Sequence, residues 1–461
     1  MLKAILFEFN KEEPIPCVSL MKDNSADLVK KIEEKKAVIC IVGLGQVGLP
    51  TALSFLRLGY RVIGYDIDKK LISNLRHGIT SIPEKDFSDI ITRFLQNKSF
   101  GLSASADVLP SADVIIICVA TPLNKSGSGA NMKFLKSAIE EVAKHLTAIK
   151  LIVIESTIPP KTMKDFIIPE MERRSKLKAG SGFLISFCPE RISPGNALQE
   201  FIDNDRIIGA NDELSYRTSL SLFKNLTNGI IHRADTTAAE IAKLAENSYR
   251  DINIAFANEL AIICEQANTD VQDVIRLANS HPRVNIHNPG PGVGGPCLPK
   301  DPYLLIMGNN FDRSIVKIAR SINDSMPFYV VDILMRTVRS QKKGKEKLNV
   351  VILGVSYKSD VNDARFSPTR SIVLALKKEG FEDITLHDPY SDESFGVKFS
   401  FDLNSTLRNA DCVIIATAHS IYSSLKSNDF KKGCIIIDAV RLLSKEVFLN
   451  SSSIYIALGT S

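Results

Sequence analysis

Ala37-Val38-Ile39-Cys40-Ile41-Val42-Gly43-Leu44-Gly45-Gln46-Val47-Gly48 joins an apolar run to a glycine-rich turn, and Leu49-Pro50-Thr51-Ala52 opens an amphipathic segment behind it. A short run rich in β-branched residues reads as a buried strand, and the segment after it as a helix. A second apolar run, YRVIGY, leads into Asp66, 23 residues past Gly43. The G-x-G-x-x-G spacing alone is a weak signal. A strand before it, a helix after it and an acid closing the next strand together make the dinucleotide-binding arrangement. Gly43 supplies the turn, Gly45 lets a pyrophosphate approach the backbone, and Gly48 lets helix and strand pack. Gln46 and Val47 complete the turn, where helix amides face phosphates. Asp66 is placed to accept hydrogen bonds from ribose hydroxyls and to repel a 2′-phosphate, which favours NAD over NADP. The competing reading is a tight turn without a ligand.

The alternation continues outward. DVIIICVA, LIVIES and FLISFCPE are further strand-like runs, with segments such as LKSAIEEVAKHL between them. Such alternation implies a parallel sheet with helices on both faces. From Thr236 to about Ala278 only helical periodicity remains, then a Gly/Pro-dense loop, HPRVNIHNPGPGVGGPCLPKDP. KLNVVILGVSYK, DITLHDPY, DCVIIATAH and CIIIDAV begin a second strand–helix region. The expected architecture is α/β: two Rossmann-like, doubly wound parallel sheets joined by a long-helix central domain. The expected division is an extension at 1–36, a dinucleotide-binding domain at 37–232, a central helical domain at 233–335, and a second α/β domain at 336–461. Within the extension, Ser25–Lys36 reads as a short helix with Ser25 as its N-cap.

At 461 residues the chain needs more than one core. It is 44% hydrophobic and 24% charged, an ordinary balance for folded protein. The net charge of +5 is spread among acids, as in KKIEEKK, which speaks against nucleic-acid binding and suits a small anionic substrate. Apolar runs are strand-sized, so membrane insertion is not expected, and Glu8, Glu12 and Glu13 spoil a secretory signal. The eight cysteines form no C-x-x-C pair, which fits a reducing cytoplasm.

Cys40, Cys118, Cys412 and Cys434 sit in apolar runs and read as small core residues. Cys297 does not. It lies in Gly294-Gly295-Pro296-Cys297-Leu298-Pro299-Lys300-Asp301, where glycines can bring backbone amides to a sulfur, Lys300 can stabilise a thiolate, and Asp301 offers a carboxylate for proton transfer. A cysteine that merely fits a Gly-Pro loop is the alternative. His281 and His287 have no third ligand at zinc-like spacing, so no metal is expected.

From about residue 37 to its end the chain resembles the UDP-glucose/UDP-N-acetylhexosamine 6-dehydrogenases, part of the UDP-glucose/GDP-mannose dehydrogenase family. The resemblance is carried by VGLGQVGLPTA, VATP, ESTIPP, CPERISPGNALQEFIDNDRIIG, AEIAKLAENSYRDINIAFANE, PGVGGPCLPKDPY and GVSYKSDVNDARFSP, in that order. It implies a four-electron oxidation: a first NAD takes hydride from C6 of the sugar, Cys297 adds to the aldehyde, a second NAD oxidises the thiohemiacetal to a thioester, and water releases the acid. It implies that Lys243 and Asn247, four apart on one helix face, stabilise oxyanions. Asp301 accepts a proton through a water held partly by Thr157, and Glu190 is the base for hydrolysis. Thr121 and Arg365 contact the cofactor; Glu190, Arg191, Lys243 and Asn247 border the substrate. Tyr357 and Lys358 hold the UDP diphosphate, Arg441 reaches substrate, and Arg283 crosses a subunit interface of a homodimer or higher homo-oligomer. Without the resemblance, Lys243 and Asn247 read as a solvated helix face, Thr157 as a helix cap and Glu190 as a surface acid. The chain departs from the family pattern at Ala120, Lys161, Asn131, Pro296 and in RFSP, none of which removes a residue assigned to chemistry.

ERISPG, NDRIIG and GPGVGG look like the UDP-N-acetylhexosamine branch. NDRIIG and RDINIAFANE favour UDP-N-acetyl-D-mannosamine, whereas LVKKIEEKKAV resembles UDP-N-acetylglucosamine enzymes; UDP-glucose is a further alternative. A two-electron hydroxyacid-type dehydrogenase would need neither Cys297 nor the second α/β region, and a silent NAD-binding protein should have lost Cys297 or Lys243.

Overall fold

The computed structural model describes residues 16–80, 82, 84, 86–124, 129–147, 149–192, 195–308, 313–341, 344 and 348–460, with side chains from Ser25 onward. The chain forms two compact units. The first holds the described residues up to Thr121 together with Met132–Thr157 and Lys161–Glu240; the second holds Pro122–Asn131, Ile158–Pro160 and Ile241 onward.

The first unit is built on eight strands: β1 (Val38–Val42), β2 (Arg61–Tyr65), β3 (Phe100–Ser103), β4 (Val114–Ile117), β5 (Leu151–Ile154), β6 (Leu184–Phe187), β7 (Arg206–Gly209) and β8 (Ile231–Ala234). Their spatial order is β3-β2-β1-β4-β5-β6-β7-β8. The first six run parallel in the doubly wound order that opens a crevice between β1 and β4. β7 meets β6 antiparallel and carries β8 alongside it. Every residue of β4, β5 and β6 is buried, as a sheet covered on both faces requires.

The second unit repeats the plan with β9 (Asn349–Leu353), β10 (Asp383–His387), β11 (Lys398–Phe399), β12 (Cys412–Ile415), β13 (Ile435–Asp438) and β14 (Ile454–Ala457). Its order is β11-β10-β9-β12-β13-β14, again reversing direction beside the first strand, between β9 and β12. The local geometry repeats too. Gly43 N–H donates to Tyr65 O at 2.8 Å and Gly354 N–H to His387 O at 2.9 Å. Leu44 N–H donates to the Asp66 carboxylate at 2.8 Å and Val355 N–H to that of Asp388 at 2.7 Å. The two halves share a turn design that their residue identities conceal.

The helix Thr236–Gln266 is 31 residues long, and Val271–Asn279 and Ile315–Ser340 follow it as helices. The N-terminal helix departs from expectation. It runs Pro16–Glu33, so Ser25 is an interior, buried residue and not a cap. Pro suits a first helical position, and Leu28 and Ile32 bury the apolar side of the last turns, which outweighs the local capping signal of Ser25. The first fifteen residues of the extension lie outside the described residues.

Candidate active site

In the first unit the helix Gly48–Arg57 starts directly from the glycine turn. A Cβ on Gly48 would stand 1.8 Å from Gly43 O, so only glycine lets helix and strand approach this closely. A Cβ on Gly45 would meet nothing within 4 Å, leaving the backbone open on the side where a pyrophosphate must approach. Asp66 accepts from Leu44 N–H through one carboxylate oxygen and from Asp68 N–H at 2.9 Å through the other, with lone pairs left for ribose hydroxyls. Thr121, beyond β4, donates its hydroxyl to Thr157 O, beyond β5, at 2.6 Å. The residues present therefore fit NAD at the carboxyl ends of the strands beside the β1/β4 crevice. Asp66→Asn keeps an acceptor for Leu44 but loses the charge. We expect it to cut the preference for NAD over NADP by about 5–10-fold, the equivalent of the roughly 1 kcal/mol that one close charge pair is worth when water screens it fully, in kcat/KM measured with both cofactors. An unchanged ratio removes Asp66 from cofactor selection.

Glu190 also belongs to this unit. It is buried, accepts from Arg191 N–H at 2.7 Å, and pairs with Arg206 at 3.4 Å. Arg191 itself donates to Asp205 O at 3.0 Å.

In the second unit the cysteine loop is tied at several points. Asn253 accepts from His287 N–H and Asn258 from Gly290 N–H, each at 2.8 Å. Gly295 has φ +89 and its N–H donates to Arg365 O at 3.0 Å; a side chain there would strike the Tyr357 ring at 2.7 Å. The loop ends where Cys297 O accepts from Lys300 N–H at 2.9 Å and Asp301 N–H at 2.8 Å, starting the short helix Asp301–Leu305.

Around the sulfur the expected groups converge. Among the seven cysteines whose side chains are described, Cys297 alone is exposed. Lys243 and Asn247 are buried on the long helix, and Asn247 Nδ2 donates to Asp301 Oδ2 at 2.6 Å. Asp301 is fully buried; its Oδ1 accepts no hydrogen bond and has Lys300 Nζ at 3.6 Å. Crowding by protein raises the Cys297 thiol above its ordinary range, and Asp301 adds to this, while Lys243, Lys300 and Arg365 pull it back toward the thiolate. The residue is nonetheless exposed, so substrate can reach the sulfur. Tyr357 is pushed up to about 12, by burial first and by Asp363 second, and stays a neutral phenol.

Other expected residues are placed elsewhere. Lys358 is exposed, and Arg283 is exposed on the turn after His281. Arg441 donates to both oxygens of Asp270, at 2.9 and 2.7 Å, and to Leu458 O at 2.8 Å, so its guanidinium is engaged within its own unit. Arg365 is held by Asp363 through bonds of 2.9 and 2.6 Å. Asp363, Glu155 and Arg206 were not singled out from sequence, though all three lie inside the motifs VNDARFSP, ESTIPP and NDRIIG. Among the described residues no group of three or more His, Cys, Asp or Glu is arranged to hold a metal ion.

Three family domains match in register with this geometry: the NAD binding domain over residues 37–227, the central domain over 237–325, and the UDP binding domain over 351–445. The chain belongs to the UDP-glucose/GDP-mannose dehydrogenase family. It is an NAD-dependent nucleotide-sugar dehydrogenase. It is 35% identical to a UDP-N-acetyl-D-mannosamine dehydrogenase of Methanococcus maripaludis over 419 residues, 89% of this chain and 94% of that one. The solved UDP-D-ManNAc dehydrogenase of Pyrococcus horikoshii superposes with TM-score 0.85 at 34% identity, covering 92% of this chain and 99% of that one. A UDP-glucose dehydrogenase from Pyrobaculum islandicum superposes almost as well, TM-score 0.83 at 27% identity over 92% and 98%. The fold is thus common to enzymes named for different sugars, and the sugar must be argued from elsewhere.

Proposed function

We propose that this enzyme oxidises C6 of a UDP-N-acetylhexosamine, UDP-N-acetyl-D-mannosamine in the first place, to the uronic acid through a thioester on Cys297. The observation that carries the reading is the exposed Cys297 beside Lys243 and the bonded pair Asn247–Asp301. Bound NAD supplies the hydride acceptor for each of the two oxidations. Lys243 offers a charge to the oxyanion at C6. Asn247 spends one amide hydrogen on Asp301, which fixes the direction of the other toward the same oxyanion. Asp301 takes the alcohol proton. The Cys297 sulfur bonds to the aldehyde carbon to give a thiohemiacetal, whose oxidation leaves a thioester, and water attack then breaks the C–S bond. Glu190 is proposed as the base for that attack and Thr157 as a water-holding hydroxyl. Tyr357, Lys358 and Arg191 are proposed for substrate, Arg365 and Thr121 for cofactor. Arg441 serves substrate only by exchanging its Asp270 partner.

The preference for the mannosamine sugar rests on NDRIIG and RDINIAFANE and on the names of the similar enzymes above. A panel of UDP-sugars with NAD, followed by absorbance at the reduced-cofactor band, tests it. Two NADH per acid are expected, with UDP-N-acetylmannosamine giving the highest kcat/KM. One NADH per turnover removes the thioester route; a better rate with UDP-glucose or UDP-N-acetylglucosamine moves the substrate and leaves the chemistry.

The division into residues 37–232, 233–335 and 336–461 is proposed as the functional one, and the cytoplasm as the compartment. Among the described residues no helix is long and apolar enough to cross a membrane. A homodimer or higher homo-oligomer is proposed on the long helix, where Tyr249, Phe256 and Ile263, seven residues apart, are 59%, 49% and 51% exposed on one face. Arg283, exposed as well, is proposed to complete a partner's substrate site. Mixing inactive Arg283→Ala and Cys297→Ala variants through dissociation and reassociation should restore up to about a quarter of wild-type activity, from one intact site in each of the half of dimers that are hybrid. No recovery in demonstrated hybrids would rule out sharing in trans.

A further inference from the structure

Beyond the carboxyl ends of β5 and β6 and on β7 of the first unit, a group of charges is buried, Glu190 being the most exposed of them. Glu155 is 2% exposed and Arg206 4% exposed, and Glu190 is buried with them. Arg206 reaches Glu190 Oε2 at 3.4 Å. Glu155 Oε2 accepts from Thr51 Oγ1 at 2.9 Å and from Cys118 Sγ at 3.2 Å. Glu155 Oε1 and Arg206 Nε are buried with no hydrogen-bond partner.

The groups that face Glu155 are Glu190, Arg206, Cys118, Cys188 and Thr51. Burial pushes both thiols up, Cys188 to about 12 and Cys118 well above its ordinary value, so neither adds charge near neutrality. Two carboxylates then share one guanidinium in a dry space. With both ionised the cluster carries a net negative charge, and one anionic oxygen has no donor. An unpaired buried charge costs far more than a buried neutral acid, so the cluster gains by keeping one proton. Glu190 has the ion pair. Glu155 has the two neutral donors and the bare oxygen.

We propose that the cluster retains one proton at neutral pH, seated on Glu155, and that Glu155 is thereby a positioning residue that leaves Arg206 to the Glu190 carboxylate. The inference rests on the reading of Glu190 as the base for thioester hydrolysis, which needs that carboxylate ionised. Burial first, and the Glu190 charge second, raise the Glu155 carboxyl from its ordinary 4.5 to about 7. An acid whose folded value is raised loses stability as pH climbs from its unfolded value to its folded one, here from about 4.5 to about 7, because only the unfolded chain ionises freely in that window.

Glu155→Gln keeps the size and the neutral form. Its melting temperature relative to wild type is expected to rise by several degrees between pH 5 and pH 8. A constant or shrinking difference overturns the proposal, and so does a Glu155→Gln chain that fails to fold, since a neutral isostere is what the site is argued to hold. The second readout is the pH profile of kcat for acid formation. Wild type should show an inflection near pH 7 that Glu155→Gln lacks, with KM unchanged, which a purely packing role would not produce. Persistence of that inflection in Glu155→Gln removes the coupling to Glu190. Glu190→Gln assayed alongside separates the two levels: full activity there sinks the base assignment, while the melting contrast still decides where the proton sits.

Discussion

Cys297→Ala is expected to lower acid formation by about 10³-fold or more while leaving UDP-sugar and NAD binding within a few-fold of wild type. The side chain is exposed at the end of a loop whose shape is set elsewhere, by Asn258 on Gly290, by the Arg365 carbonyl on Gly295, and by the Cys297 carbonyl on the next helix. None of these bonds uses the sulfur. Removing it therefore subtracts a nucleophile and little else, and melting temperature should barely move. Without the thiol the aldehyde has no covalent anchor, so one equivalent of NADH in a single turnover with no acid is the signature to look for. Cys297→Ser should also be slow, because a hydroxyl ionises far less readily than a thiol, even one that burial holds above its ordinary range. Acid formed by Cys297→Ala at the wild-type rate would end the thioester mechanism. Loss of NAD or UDP-sugar binding would show that the residue shapes the loop after all.

The strands that sequence reveals best are those buried on both faces. AVICIV, VIII and LIVI are near-continuous apolar runs because a parallel sheet covered by helices needs them to be. The edges were illegible for the converse reason. β8 is Ile231–Ala234 with two exposed residues, β11 is two residues long, and β3 is FGLS; none carries a pattern distinct from a loop. The helix Ile315–Ser340 hides behind Pro327, which ordinarily ends a helix. Here the Asn323 carbonyl that Pro327 leaves without its helical donor faces the cysteine loop, with Gly292 packed against both. Cys297 stood out by the contrast between its Gly/Pro/charged neighbours and the apolar runs around Cys40, Cys118, Cys412 and Cys434. Its partners could not be found that way. Lys243, Asn247 and Asp301 are brought together by the packing of the long helix against a loop some fifty residues downstream, and only a family resemblance anticipates such a meeting. Glu155 and Arg206 show the limit from the other side. Both lie inside family motifs, yet nothing local in EST or NDRIIG announces that a carboxylate and a guanidinium are to be buried together.

Asp301→Asn is expected to lower kcat by about 10²–10⁴-fold, the range for loss of a positioned general base, with KM changed by much less. The contrast with stability makes the test sharp. Asp301 is fully buried with one oxygen bound to Asn247 and the other accepting no hydrogen bond, its cation Lys300 standing off at 3.6 Å. Such an arrangement is poor stabilisation: a buried polar atom left unpaired costs about 1–3 kcal/mol. Asparagine keeps the shape and the acceptor that Asn247 needs, gives up the weak Lys300 pairing, and sheds the buried charge, so stability should stay within about 1 kcal/mol of wild type and melting should scarcely shift. A residue chosen for the fold would behave in the opposite way, losing stability first and activity only in proportion. Rate loss with an unchanged melting curve, and with NAD and UDP-sugar binding retained, identifies Asp301 as the group that moves the proton. A fall in kcat smaller than about tenfold, below the range a general base supplies, would assign that proton to another acceptor and leave the Asn247–Asp301 bond as a device for aiming the amide alone.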